Sequence, residues 1–65
     1  MTALTAFEAK RMIESGEAQV ASVFRHWSSG GLFVILDLGK GSAYTLLSYV
    51  WEGLFRKKGL IKEGA

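Results

Sequence analysis

Few side chains in this sequence could do chemistry, and their spacing limits what that chemistry can be. There is one histidine, His26, and no cysteine. A zinc site typically takes four nitrogen, sulfur or carboxylate ligands, so no metal site is assigned. Asp37, Lys40 and Glu52 are the remaining charged candidates in the apolar part of the chain. A catalytic carboxylate needs a partner and a pocket. Asp37 instead interrupts an apolar run, so it is expected to pair with Lys40 at i,i+3 or to cap a following helix. Nucleophilic catalysis needs a nucleophile, a base and a group that orients the base. One imidazole and no thiol leave too few parts. No catalytic residue is assigned, and the chain is read as non-enzymatic.

Gly39-Lys40-Gly41-Ser42 has the look of a phosphate-binding loop without its substance. The full pattern, Gly-x-x-x-x-Gly-Lys-[Ser/Thr], sits between a strand and a long helix. Here a second glycine separates Lys40 from Ser42, and no room is left for a nucleotide domain. The segment is read as a turn.

The elements that position these residues must come from 65 residues, 49% of them hydrophobic. A domain of this size buries only about 60% of its unfolded surface. Natural chains this small lean on disulfides, metals or oligomerisation, and the first two are not expected here. Large apolar patches are rare on soluble monomers, so some of this apolar surface is expected to face another subunit, a membrane or a cofactor. A homo-oligomer is the first expectation. The net charge of +2 and one short basic run, Arg56-Lys57-Lys58, make no nucleic-acid footprint. The charged start of the chain, with Glu8, Lys10 and Arg11, does not read as a cleavable signal.

Two glycine breaks, Ser28-Ser29-Gly30-Gly31 and Gly39-Lys40-Gly41, divide the chain, which is read as one unit over residues 1–65. Residues 5–28 are expected to form an amphipathic helix. Thr5 and Glu8 fit a capping box. At helical spacing Ala6, Ala9, Met12, Ile13, Gly16, Val20, Val23, Phe24 and Trp27 share one face. Lys10 and Glu14 can pair at i,i+4. Gly16 falls on the apolar face, where it either admits a second helix or makes a slight kink. His26 falls at the rim of that face beside Trp27.

Residues 32–38 are a continuous apolar run, and periodicity alone cannot separate a buried strand from a buried helix. The content of Leu and Phe favours a short helix. Residues 42–58 fit a second amphipathic helix with Ser42 as N-cap. Arg56, Lys57 and Lys58 complement its dipole, and Gly59 is its C′ residue. A β-hairpin turning at Gly39-Lys40-Gly41 is the rival, weakened because the adjacent Leu46 and Leu47 break strand alternation.

No ordinary transmembrane helix is expected. A 20-residue span in the most apolar window includes two of Asp37, Lys40 and Glu52, each costing about 2.5–3.5 kcal/mol at the bilayer centre. A position in the membrane interface fits better, with Tyr44, Tyr49 and Trp51 at headgroup level.

One stretch resembles a known family. His26-Trp27, followed by Asp37-Leu38-Gly39-Lys40-Gly41-Ser42, is similar to the His-Trp … Leu-Gly-Lys-Gly-Thr stretch of the chlorosome baseplate protein of green photosynthetic bacteria. The similarity covers about 17 of the 65 residues. The spacing differs by one residue, and the family has no counterpart of the C-terminal segment. The resemblance implies a small helical protein packed in rows on a lipid monolayer. It implies bacteriochlorophyll held by His26, with Trp27 beside the pigment.

The expectation is therefore an all-α chain with helices over residues 5–28, 32–38 and 42–58. Its expected role is a non-enzymatic structural or accessory subunit of a membrane-associated, pigment-bearing assembly linked to photosynthesis. The alternatives are a coat or pilus-type packing subunit without cofactor and a soluble helical binding module.

Overall fold

In the computed structural model, which describes residues 1–61, a short strand β1 (Thr2–Ala3) leads into helix α1 (Ala6–Ser15). The capping box forms as expected. The Glu8 N–H donates to Thr5 Oγ1 at 3.0 Å, and the Thr5 N–H donates to Glu8 Oε1 at 3.0 Å. Lys10 and Glu14 pair at 3.1 Å. The helix then stops, far short of residue 28. Gly16 takes φ 87, the left-handed conformation that ends helices. Nothing among the described residues lies within 4 Å of where its Cβ would be, so neither α2 nor the sheet of this chain packs closely on Gly16.

Beyond Gly16 the chain forms a sheet, and this overturns the all-α expectation. Strands β2 (Gln19–Arg25), β3 (Leu32–Asp37) and β4 (Ser42–Leu47) form an antiparallel meander, and β1 adds parallel to β4. The order across the sheet is β1-β4-β3-β2. A second helix, α2 (Tyr49–Lys57), comes after β4. This is a small α/β protein with two short helices, not a small helical protein.

Each strand is disguised as helix for an identifiable reason. In β2 the register slips between Val20 and Ser22, where a bulge adds one residue. Val20 and Val23 therefore face the same side although three apart, a spacing that otherwise belongs to helices. In β4 the burial alternates, with Ala43, Thr45 and Leu47 buried. Leu46 breaks the hydrophobic alternation because the opposite face of the strand is apolar too. The expected short helix over 32–38 is β3, whose Leu32, Val34 and Leu36 are buried.

Both glycine breaks are hairpin turns. At the second, the Leu38 N–H donates to the Gly41 carbonyl at 2.9 Å and the Gly39 N–H donates to Asp37 Oδ1 at 2.8 Å. Asp37 thus caps its own turn, and Ser42 begins a strand instead of a helix. The N-cap of α2 is Ser48. Its other end closes as expected at Gly59: the Gly59 N–H donates to Arg56 O and the Leu60 N–H to Phe55 O, the two bonds of a Schellman motif.

Both helices lie on one face of the sheet. The core between the layers holds Ala9 of α1, Phe55 of α2, and Leu32, Val34, Leu36, Ala43 and Leu47 of the strands. Thr45 is buried among them, and its hydroxyl has no hydrogen-bond partner among the described residues. Among the described residues the other face of the sheet carries no helix.

Candidate functional site: the helix-free face of the sheet

Side chains alternate along a strand, so the residues between the buried ones must point away from the helices. The register sets them opposite one another: Phe24 against Phe33, Phe33 against Leu46, and Ile35 against Tyr44. The rings form a ladder. Phe24 and Phe33 stack with centroids 5.4 Å apart and planes 4° from parallel, and Phe33 and Tyr44 stack at 5.2 Å. Such offset pairs contribute about 0.5–1.5 kcal/mol each beyond area burial. Phe24 on β2 remains 50% exposed and Leu46 on β4 46%. The ladder crosses the sheet from its centre to the β2 edge and carries no charge of its own.

Ring orientation decides what this face can bind. Two parallel rings with centroids this close cannot lie side by side in one plane, so they stand face toward face. The inner ring faces are already used by neighbouring rings. A nucleic-acid stacking platform presents ring faces to bases and tracks phosphates with basic residues. This face presents ring edges, and Lys and Arg are absent from its ladder.

His26 lies beside the ladder at the turn end of the sheet, its imidazole 6.1 Å from the Phe33 ring. It sits in the β2–β3 turn and not on a helix. The His26 backbone N–H donates to the Gly31 carbonyl at 2.8 Å, closing the hairpin. The Ser29 backbone N–H donates to His26 Nδ1 at 3.2 Å, and the hydroxyls of Ser29 and Ser28 lie 2.9 and 3.2 Å from the same atom. A backbone N–H can only donate, so Nδ1 presents its lone pair and the proton of the neutral ring sits on Nε2. Binding a metal through Nε2 would need that proton moved to Nδ1 and the Ser29 bond opened. Trp27, next in the turn, is 91% exposed. The structure gives His26 a turn-holding role and sets no second aromatic ring beside Trp27 among the described residues.

Arg25 carries no signal in the sequence that marks it for a role. It lies on the helix side of β2, and its guanidinium meets Glu52 of α2 at 2.7 and 3.0 Å. Arg56, one turn along α2, reaches the same carboxylate at 2.8 Å. Hydrogen bonds from the two guanidiniums, Arg25 first, hold the Glu52 carboxyl down at about 2. In sequence Glu52 is a stray charge in an apolar window; in the fold it is a tie between sheet and helix. Asp37 and Lys40 share the opposite end of the sheet and do not meet Glu52.

At the turn end, Gly31 packs against β4: a Cβ there would lie 3.1 Å from the Leu47 carbonyl oxygen and 3.1 Å from Leu46 Cδ1. A shallow hollow of ≈ 380 Å³ opens beside it, lined by Ser29, Gly30, Gly31, Leu46, Leu47, Ser48 and Tyr49. It holds no carboxylate and no cation. Among the described residues, no group of three His, Asp or Glu side chains could hold a metal ion, and no helix is long and apolar enough to cross a membrane.

The fold and this face define a two-layer α/β unit with one sheet face covered and one aromatic face bare. Compared with protein-family models, curated proteins and solved structures, the chain has no match. A helical reading of the sequence hides the ladder residues. A signal for them exists: folding the chain at Gly39-Lys40-Gly41 sets Asp37 against Ser42 and therefore Phe33 against Leu46.

Proposed function

We propose that this chain is a non-enzymatic packing subunit that joins a larger assembly through the helix-free face of its sheet. The observation that carries this reading is the ladder of Phe24, Phe33 and Tyr44, flanked by Leu46 and Ile35, on a face that neither helix covers. Sheets with both faces apolar bury both, commonly by packing face to face about 10 Å apart. Neutral, edge-on aromatic side chains suit another protein surface.

The test is light scattering across a wide concentration range, with Phe33→Ser as the variant. The wild-type chain is expected to associate, and Phe33→Ser to weaken association while keeping its far-UV spectrum. A wild-type chain that stays monomeric with cooperative unfolding, and that ignores vesicles, removes the reading.

A second reading, attachment to a lipid surface, has its own observation. Trp27 in the β2–β3 turn and Tyr49 and Val50 in the first turn of α2 are strongly exposed at one end of the molecule. Such residues favour the headgroup level of a bilayer. Co-flotation with vesicles, lost in Trp27→Ser, is the expected outcome. Equal flotation of the variant removes this reading alone.

A further inference from the structure

The sheet has two free edges, and they are unlike. On one side β1 is two residues long. On the other, β2 runs for seven residues, Gln19–Arg25, with β3 as its only neighbour among the described residues. Native proteins blunt exposed edges with charges, proline, short strands or bulges. Along β2 there is no charge before Arg25 and no proline. Its protective devices are the bulge between Val20 and Ser22 and, at its end, Arg25, whose guanidinium is held by Glu52 on the helix side; from Ser22 to Arg25 the register is regular. This is an edge open to another strand.

The backbone says which groups are open. His26 donates to the Gly31 carbonyl and accepts from the Gly30 N–H, so His26 turns both its backbone groups toward the β3 side. In an antiparallel ladder such residues alternate with ones whose groups face away. Phe24 and Ser22 therefore turn their N–H and C=O toward β3. Val23 and Arg25 turn theirs outward, to the free edge.

The side chains say what would cover it. Phe24 is the last ring of the ladder, half exposed, and Phe33 is its one ring neighbour among the described residues. Its outer face looks across the edge. A strand that continues the sheet here must supply an apolar or aromatic residue opposite Phe24 and no charge on that face. The β2 strand of another molecule meets both requirements.

We infer that β2 pairs antiparallel with β2 of a second copy about a two-fold axis through Phe24. Antiparallel pairing is what a two-fold across a strand produces, because the same patch must serve both partners. In this register Val23 and Arg25 each exchange backbone hydrogen bonds with Arg25 and Val23 of the second copy. Phe24 stands opposite Phe24 of the second copy in a non-bonded pair, where side chains approach most closely. The sheet becomes eight-stranded, and the ladder runs unbroken as Tyr44, Phe33, Phe24, then Phe24, Phe33, Tyr44. The Arg25–Glu52 bond lies on the helix side and is retained. The inference rests on the reading of the chain as a packing subunit and specifies its first contact.

The test combines native-state hydrogen exchange with sedimentation of the full chain. The wild-type protein is expected at twice its 7.1 kDa mass, with the Val23 and Arg25 amides exchanging at least ~10-fold more slowly in concentrated than in dilute solution. Val23→Pro removes an N–H that the monomer does not use, a position where an edge strand tolerates proline. It is expected to give a folded monomer. Phe24→Lys, which sets like charges opposite each other, is expected to do the same at low salt. Fast exchange at both amides in the associated wild-type protein overturns the pairing, and this measurement decides if Val23→Pro fails to fold. Association that survives Val23→Pro but not Phe33→Ser overturns the edge and leaves face docking standing. A wild-type chain that neither associates nor binds vesicles removes both.

Discussion

Arg25 on the edge strand and Glu52 on the last helix are 27 residues apart in sequence and share two hydrogen bonds, at 2.7 and 3.0 Å. Together with Arg56 they fasten α2 to the far side of the sheet from β4, the strand that precedes it. The Glu52 carboxyl is well shielded, at 13% exposure, while Arg25 is half open to solvent. This is the one long-range ion pair among the described residues.

The Glu52 carboxyl is held at about 2, below its ordinary 4.5. A carboxylate with a depressed folded-state pKa stabilises the fold above its unfolded pKa and loses that contribution as pH falls through the folded value. The stability from this tie is therefore full above about 4.5 and lost progressively down to about 2. Glu52→Gln should lower stability at neutral pH and flatten the acid limb in that window. Urea unfolding between pH 2 and 7 measures it; parallel pH profiles for variant and wild type would show that the tie contributes nothing.

Thr45 has its hydroxyl in the core without a partner among the described residues. An unmet buried hydroxyl costs about 1–3 kcal/mol by mutational measures. Thr45→Val keeps the shape and the branched strand residue and removes the polar atom. It should stabilise the fold by about 1 kcal/mol. A destabilised variant in chemical denaturation would mean that the hydroxyl is bonded in solution.

Gly16 sits at φ 87 with open space around it. Its role is conformational, so Gly16→Ala should cost about 1–2 kcal/mol, the penalty for a left-handed residue bearing a Cβ. Association should change only as far as folding does. A variant with wild-type stability but lost association would restore Gly16 to an interface.

His26 holds its turn through Nδ1. Long-range nitrogen–proton correlation spectra at neutral pH should find the ring proton on Nε2. His26→Ala should cost about 0.5–1.5 kcal/mol, the worth of an ordinary hydrogen bond. The pigment proposal that comes with the baseplate resemblance is read from the same variant. A visible chromophore retained on the native protein and lost in His26→Ala supports it, and a native protein without one removes it.

Local signals in the sequence are sufficient wherever a few neighbouring residues decide the outcome. The Thr5–Glu8 box, the Lys10–Glu14 pair, the two glycine turns and the Gly59 stop all form as read, because each is satisfied within one turn of chain. The choice between helix and strand for residues 19–25 and 42–47 is not of that kind. Val20 and Val23 share a face only because a bulge against β3 inserts a residue between them. Leu46 and Leu47 are both apolar because Leu47 meets the helices and Leu46 the bare face. A hydrophobic period reports one buried face; a strand that is apolar on both sides has no period to report. The aromatic ladder has the same origin. Phe24, Phe33 and Tyr44 lie 9 and 11 residues apart, and only the pairing of three strands makes them neighbours.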